Sequence, residues 1–219
     1  MTSSLNSLQS LVQIVVAILL LYIAYTFIVS KQEHSKLFGL GLVFLGLSFA
    51  SWSASTLLWT NPFIEYKQLA YTLQIASILT FLGCAVYLCK PRYQKVLNIC
   101  LVVLASAVAL FLLASPYLSG ALFYSLRYYL SFADPGTIFF YAVVMSISLV
   151  LASFAVPASK AKSANMLDAT RVGFIILALS LGLSLTAYDD TIRNINTIVL
   201  LVDVCYLAIQ HSKTLINKQ

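Results

Sequence analysis

The sequence predicts an all-α, polytopic integral membrane protein with seven transmembrane helices, the N-terminus outside and the C-terminus cytoplasmic. Three observations predict it. Hydrophobic residues fill 61% of the 219 positions and charged residues only 9%, where a soluble domain carries roughly 25% charged residues. Seven apolar runs are each long enough to cross a hydrocarbon core of about 30 Å at about 1.5 Å per residue. The basic residues gather in short segments between those runs, and mostly on one side.

The runs lie near residues 10–30, 37–59, 68–89, 95–117, 137–157, 171–188 and 194–211. Only helices and closed barrels satisfy their backbone in lipid, and continuous apolar runs of this length mean helices. Residues 1–219 read as one membrane domain, too short to hold a soluble catalytic domain as well. The first run is read as a true span: no positive segment precedes it, and it is too long for the core of a signal peptide.

Orientation follows from Lys and Arg. Lys31, Lys36, Lys90, Arg92, Lys95, Lys160, Lys162, Arg171, Lys213 and Lys218 fall on one side, against Lys67, Arg127 and Arg193 on the other. That majority marks the cytoplasmic side of a multi-pass protein of the cell membrane. A net charge of +6 is therefore a topology signal beside the bilayer, and nucleic acid is not an expected partner.

Along the chain, the second run carries small residues at every fourth position, Gly46, Ala50 and Ala54. That spacing lets helix backbones approach closely, within the bundle or between subunits. Ser48, Trp52, Ser55 and Trp59 give the same run a second, aromatic and hydroxylated face. The segment Leu118–Gly136, with Phe123-Tyr-Ser-Leu-Arg-Tyr-Tyr-Leu130, suits the membrane–water interface. Pro62, Pro91, Pro116, Pro135 and Pro157 all lie at run ends. No run is broken at its centre, which counts against transporters that bind substrate where helices are discontinuous.

Asp203 is the one charged side chain deep inside a run. It lies about nine residues, or roughly 13 Å, from the outer end of the last run. An ionised Asp at a helix centre costs about 2.5–3.5 kcal/mol on insertion scales, so it must be protonated, paired, or turned to water or the interior. Asn196, Asp203 and Gln210 recur every seven residues and share a face, with Tyr206 beside it. Gln74, Ser51, Trp52 and Ser180 come at comparable depth in other runs, as do Ser106 and Ser146. The expected site is a cluster of Asp203, Gln74 and Tyr206, in which a protonated acid donates to Gln74 or a serine.

The stretch Val202-Asp203-Val204-Cys205 looks like the Asp segment in the last helix of microbial rhodopsins. Those proteins hold retinal on a lysine one turn on, where this chain has Leu207, so a retinal Schiff base is excluded. The span order is also similar to three-one-three sugar transporters of the SWEET type, which would make spans one to three and five to seven parallel repeats. That family's proline motifs are absent. Span count and orientation further resemble the seven-helix membrane domains of bacterial sensors; a sensor of this kind would act through a separate partner.

Reaction signatures are missing: no HExxH, phosphate loop or nucleophile elbow occurs. No enzyme activity, cofactor or metal site is expected. His34 and His211, the two histidines, are placed at the cytoplasmic surface. Cys84, Cys89, Cys100 and Cys205 form no metal-type pair and read as free, buried thiols. The expected function is a receptor-like or accessory protein that holds a small or lipidic ligand, or docks a partner membrane protein or a second copy. A small proton-coupled or solute transporter using Asp203 and a structural subunit of a membrane complex are the alternatives.

Overall fold

The computed structural model describes residues 2–57, 63–114, 135–155, 169–186 and 190–216. They are helical apart from short connections. Among the described residues there are seven α-helices, α1 (Thr2–Ile28), α2 (Glu33–Leu57), α3 (Phe63–Ala85), α4 (Pro91–Ala114), α5 (Pro135–Ala155), α6 (Ala169–Thr186) and α7 (Asp190–Ile216), with a 3-10 turn at Val86–Leu88. Each expected run therefore coincides with one helix. Four of the helices are long and apolar enough to cross a membrane, over Gln9–Ile28, Glu33–Ala54, Leu69–Leu88 and Asn194–Ser212. The interfacial segment expected at 118–136 lies almost wholly outside the described residues, as do Trp59 and Lys160.

Local chemistry explains the helix ends. Pro91 and Pro135 open α4 and α5, where a missing N–H costs nothing and the fixed φ suits the first turn. Inside the helices, hydroxyls bond back to their own backbone: Ser48 to the Leu45 carbonyl, Ser148 to Met145 and Thr80 to Ala76 and Ser77. A hydroxyl in an apolar setting has no water to bond, so the preceding turn supplies the acceptor.

Six helices close a ring in the order α1, α2, α3, α5, α6, α7 and back to α1. Two layers of three, α1–α2–α3 and α5–α6–α7, meet along α3–α5 and α1–α7. Helix α4 stands outside the ring and packs on α3 and the 3-10 turn, where the Gln94 side chain donates to the Cys89 carbonyl at 2.8 Å. The described helices are thus arranged three, one, three in space.

The stripe that seats α1 on α2 is Gly39, Gly46 and Ser53, spaced by seven. A Cβ on Gly39 would stand 2.9 Å from the Ala24 oxygen, and one on Gly46 would stand 3.2 Å from the Ala17 oxygen. Ser53 donates to the Ser10 carbonyl at 2.6 Å. Gly46 thus serves close approach within the chain, while Ala50 and Ala54 are half-buried. The outer faces remain apolar, with Ile18, Val102, Ile147, Leu179, Ile198 and Val202 all exposed. Apolar outer faces of this extent are incompatible with water and mark a membrane protein.

Inside, Phe27, Phe38, Phe81 and Phe174 form an aromatic layer contributed by α1, α2, α3 and α6. Phe38 is its hub, 4.9 Å from Phe27, 5.5 Å from Phe81 and 4.8 Å from Phe174 between ring centroids.

Candidate functional site

Helix α7 turns one face to the ring: Asn196, Leu200, Asp203, Val204, Leu207 and His211 are buried along it. Apolar members pack against α6 and α1, and the polar ones are carried inward by the same periodicity. Toward its N-terminal end the Asn196 side-chain amide donates to the main-chain oxygen of Ser180 on α6 at 2.6 Å. Ser180 is buried, and its main-chain carbonyl is what α7 uses.

Asp203, 6% exposed, lies where α7 crosses α6 at Gly173. A Cβ on Gly173 would stand 2.6 Å from Leu207 Cδ2 and 3.7 Å from Asp203 Oδ1, so a larger residue here would require the Leu207 tip to turn. The other carboxyl oxygen, Oδ2, is buried with no hydrogen-bond partner. In a membrane interior such an acceptor costs free energy unless it carries a proton or meets a donor. Arg171, two residues before Gly173, lies over the Phe154 ring of α5 at 5.6 Å.

Gln74 is 7% exposed on α3, and its Oε1 also lacks a partner. Helix α3 packs between α2 and α5, whereas α7 packs between α6 and α1. The two polar groups thus sit on non-adjacent helices, and no hydrogen bond joins Gln74 Oε1 to Asp203 Oδ2. Tyr206 is turned outward, 37% exposed. Three residues beyond Asp203 is about 60° round a helix, enough to pass from the edge of the buried face to the outer one. Ser51 bonds back to the Leu47 carbonyl at 2.9 Å, and Trp52 stacks edge-on against Tyr71 on α3 at 5.4 Å. Neither joins the α6–α7 crossing through these contacts.

Two expectations are corrected. His211 is not a surface residue but only 9% exposed; its ring packs against Phe27 at 4.8 Å, and Nδ1 lies 3.4 Å from the Thr26 hydroxyl. Helix α7 continues to Ile216, which keeps His211 on the buried face eight residues past Asp203. That spacing was the available signal. The cysteines are not uniformly buried either: Cys84 is, while Cys89 and Cys100 are exposed. Among the described residues no group of His, Cys, Asp and Glu could hold a metal ion.

Fold and crossing together define an all-helical membrane protein with an acid buried between two of its helices. No family model, curated protein or solved structure matches the chain.

Proposed function

We infer that the protein is a seven-span, multi-pass component of the cell membrane, N-terminus outside, that acts by recognition and not by catalysis. It is receptor-like or accessory: the α6–α7 crossing holds a small or lipidic ligand, or a group from a partner membrane protein. One observation carries this reading, the buried Asp203 Oδ2 with no partner beside Gly173. A structural acid is expected to be satisfied within its own fold. Continuous helices and the aromatic layer across α1, α2, α3 and α6 favour holding a ligand over passing one through.

The three-one-three arrangement of helices favours a second reading, a carrier in which two three-helix layers rock against each other and Asp203 couples the movement. Purified protein in lipid vesicles separates the two. Uptake of protons and of a solute panel is measured for wild type beside Asp203→Asn. The recognition reading expects no uptake from either. Uptake by the wild type that disappears in the variant would replace it with the carrier.

A further inference from the structure

The six-helix ring repeats itself. Gly41 to Ser48 of α2 reads Gly-Leu-Val-Phe-Leu-Gly-Leu-Ser, and Gly173 to Ser180 of α6 reads Gly-Phe-Ile-Ile-Leu-Ala-Leu-Ser. In register the two share the glycine, two leucines and the final serine. Their buried, intermediate and exposed positions agree at every residue except Phe44 against Ile176.

The following helix repeats with it. At Gly41 the space of the missing side chain is filled by the Phe81 ring of α3, and at Gly173 by Leu207 of α7. Four residues before those fillers stand Ser77 and Asp203, each beside its glycine. Ser77 donates to the Gly41 carbonyl at 2.9 Å.

The junctions between the layers correspond as well. Cys84 Sγ of α3 lies 3.7 Å from the Ala152 carbonyl of α5, with the His34 carbonyl nearer at 3.3 Å, and His211 of α7 meets Thr26 of α1. Thr26 and Ala152 are 126 positions apart, as are Ser77 and Asp203; Cys84 and His211 are 127 apart. Gly41 and Gly173 are 132 apart, so the recurrence holds helix by helix, with the connections to and from the second helix differing in length. Packing partners, hydrogen-bond sites and sequence thus recur in the same helix order, the pattern of a parallel internal repeat related by an axis along the membrane normal.

The repeat explains Asp203 by contrast. At the first crossing, α2 with α3, the residue beside glycine is a small hydroxyl whose hydrogen bonds a main-chain carbonyl. At the second, α6 with α7, an acid stands in its place with Oδ2 unbonded. Packing alone calls for serine, so the acid answers something outside the fold.

We propose that α1–α3 and α5–α7 are two copies of one three-helix unit, and that the acid-bearing crossing of the second copy binds a hydrogen-bond donor, an ammonium or hydroxyl group. The site takes such a group because Asp203 offers an acceptor. It disfavours an ionised carboxylate, which brings a second negative charge and no donor. This rests on the reading of Asp203 as the recognition group.

Two measurements on the full chain in lipid–detergent micelles test it. The first compares folding equilibria of Asp203→Ser and Asp203→Ala. Serine should bond the Gly173 carbonyl as Ser77 bonds Gly41, favouring the folded state about threefold over alanine, and Ser77→Ala should lose about as much. Serine no better than alanine would overturn the equivalence of the two crossings. The second reads the shift in unfolding midpoint with octylamine, octanol and octanoate. The first two should stabilise the wild type and not Asp203→Ser, and octanoate, kept ionised by an alkaline buffer, neither. Equal shifts for wild type and variant, or no shift with any probe, would overturn the donor site. Asp203-dependent uptake in vesicles would instead overturn the recognition reading and leave the repeat standing.

Discussion

The side-chain amide of Asn196 donates to the main-chain oxygen of Ser180 at 2.6 Å, tying α7 to α6 seven residues before Asp203. An interhelical hydrogen bond in a membrane contributes about 0.6 kcal/mol on average and up to about 1.7 kcal/mol. Asn196→Ala should destabilise the protein within that range, read by denaturing-detergent titration. No loss would mean that the amide finds an equal partner in the unfolded membrane state.

Three glycines should rank by what surrounds them. At Gly39 a methyl group meets the Ala24 backbone oxygen at 2.9 Å, which cannot yield; at Gly173 it meets the tip of Leu207, which can turn; at Gly83 nothing lies within 4 Å. Overpacking costs about 1–3 kcal/mol. Gly39→Ala should fall near the top of that range and Gly173→Ala near the bottom. Gly83→Ala should be neutral or stabilising by up to about 1 kcal/mol through helix propensity. A different order under the same titration would contradict the packing described for α1 on α2.

Phe38 joins three rings on three other helices. Phe38→Ala should cost about 3–5 kcal/mol, and Phe38→Leu clearly less, because much of the volume is kept. Equal losses would show that the edge-to-face geometry, and not the filled space, holds the layer.

The cysteines give a check on orientation. Cys89 is exposed beside Lys90, whereas Cys84 is buried with its thiol toward the His34 carbonyl at 3.3 Å. In a Cys100→Ser, Cys205→Ser background, a membrane-impermeant maleimide should label Cys89 in inside-out vesicles and spare it in intact cells. Cys84 should react only after unfolding. Labelling of Cys89 from outside would invert the proposed topology.

Much of this was readable in advance, and the misses are specific. The spacing of seven between Asn196 and Asp203 is a property of the α-helix, so their shared inward face could be read from the chain. Tyr206 could not be placed so surely, because it sits about 60° from Asp203 and the width of the buried face depends on the neighbours. Gln74 matched Asp203 in depth, but depth along a helix says nothing of which helices touch. His211 falls at the end of the last apolar run, where the run length alone puts it at the surface, whereas the helix runs on to Ile216 and carries the imidazole onto Phe27.

By itself the sequence determined the helices, because lipid leaves a continuous apolar run no other way to bond its backbone. It also singled out Asp203, because a charge inside such a run is costly wherever the helix packs. Only the tertiary structure decided which helices are neighbours, that α4 stands outside the ring, and that Ser77 and Asp203 occupy matching crossings. Those outcomes rest on contacts between residues far apart in the chain, where a glycine on one helix fits a side chain on another, and no pattern within a single helix records which partner will meet it.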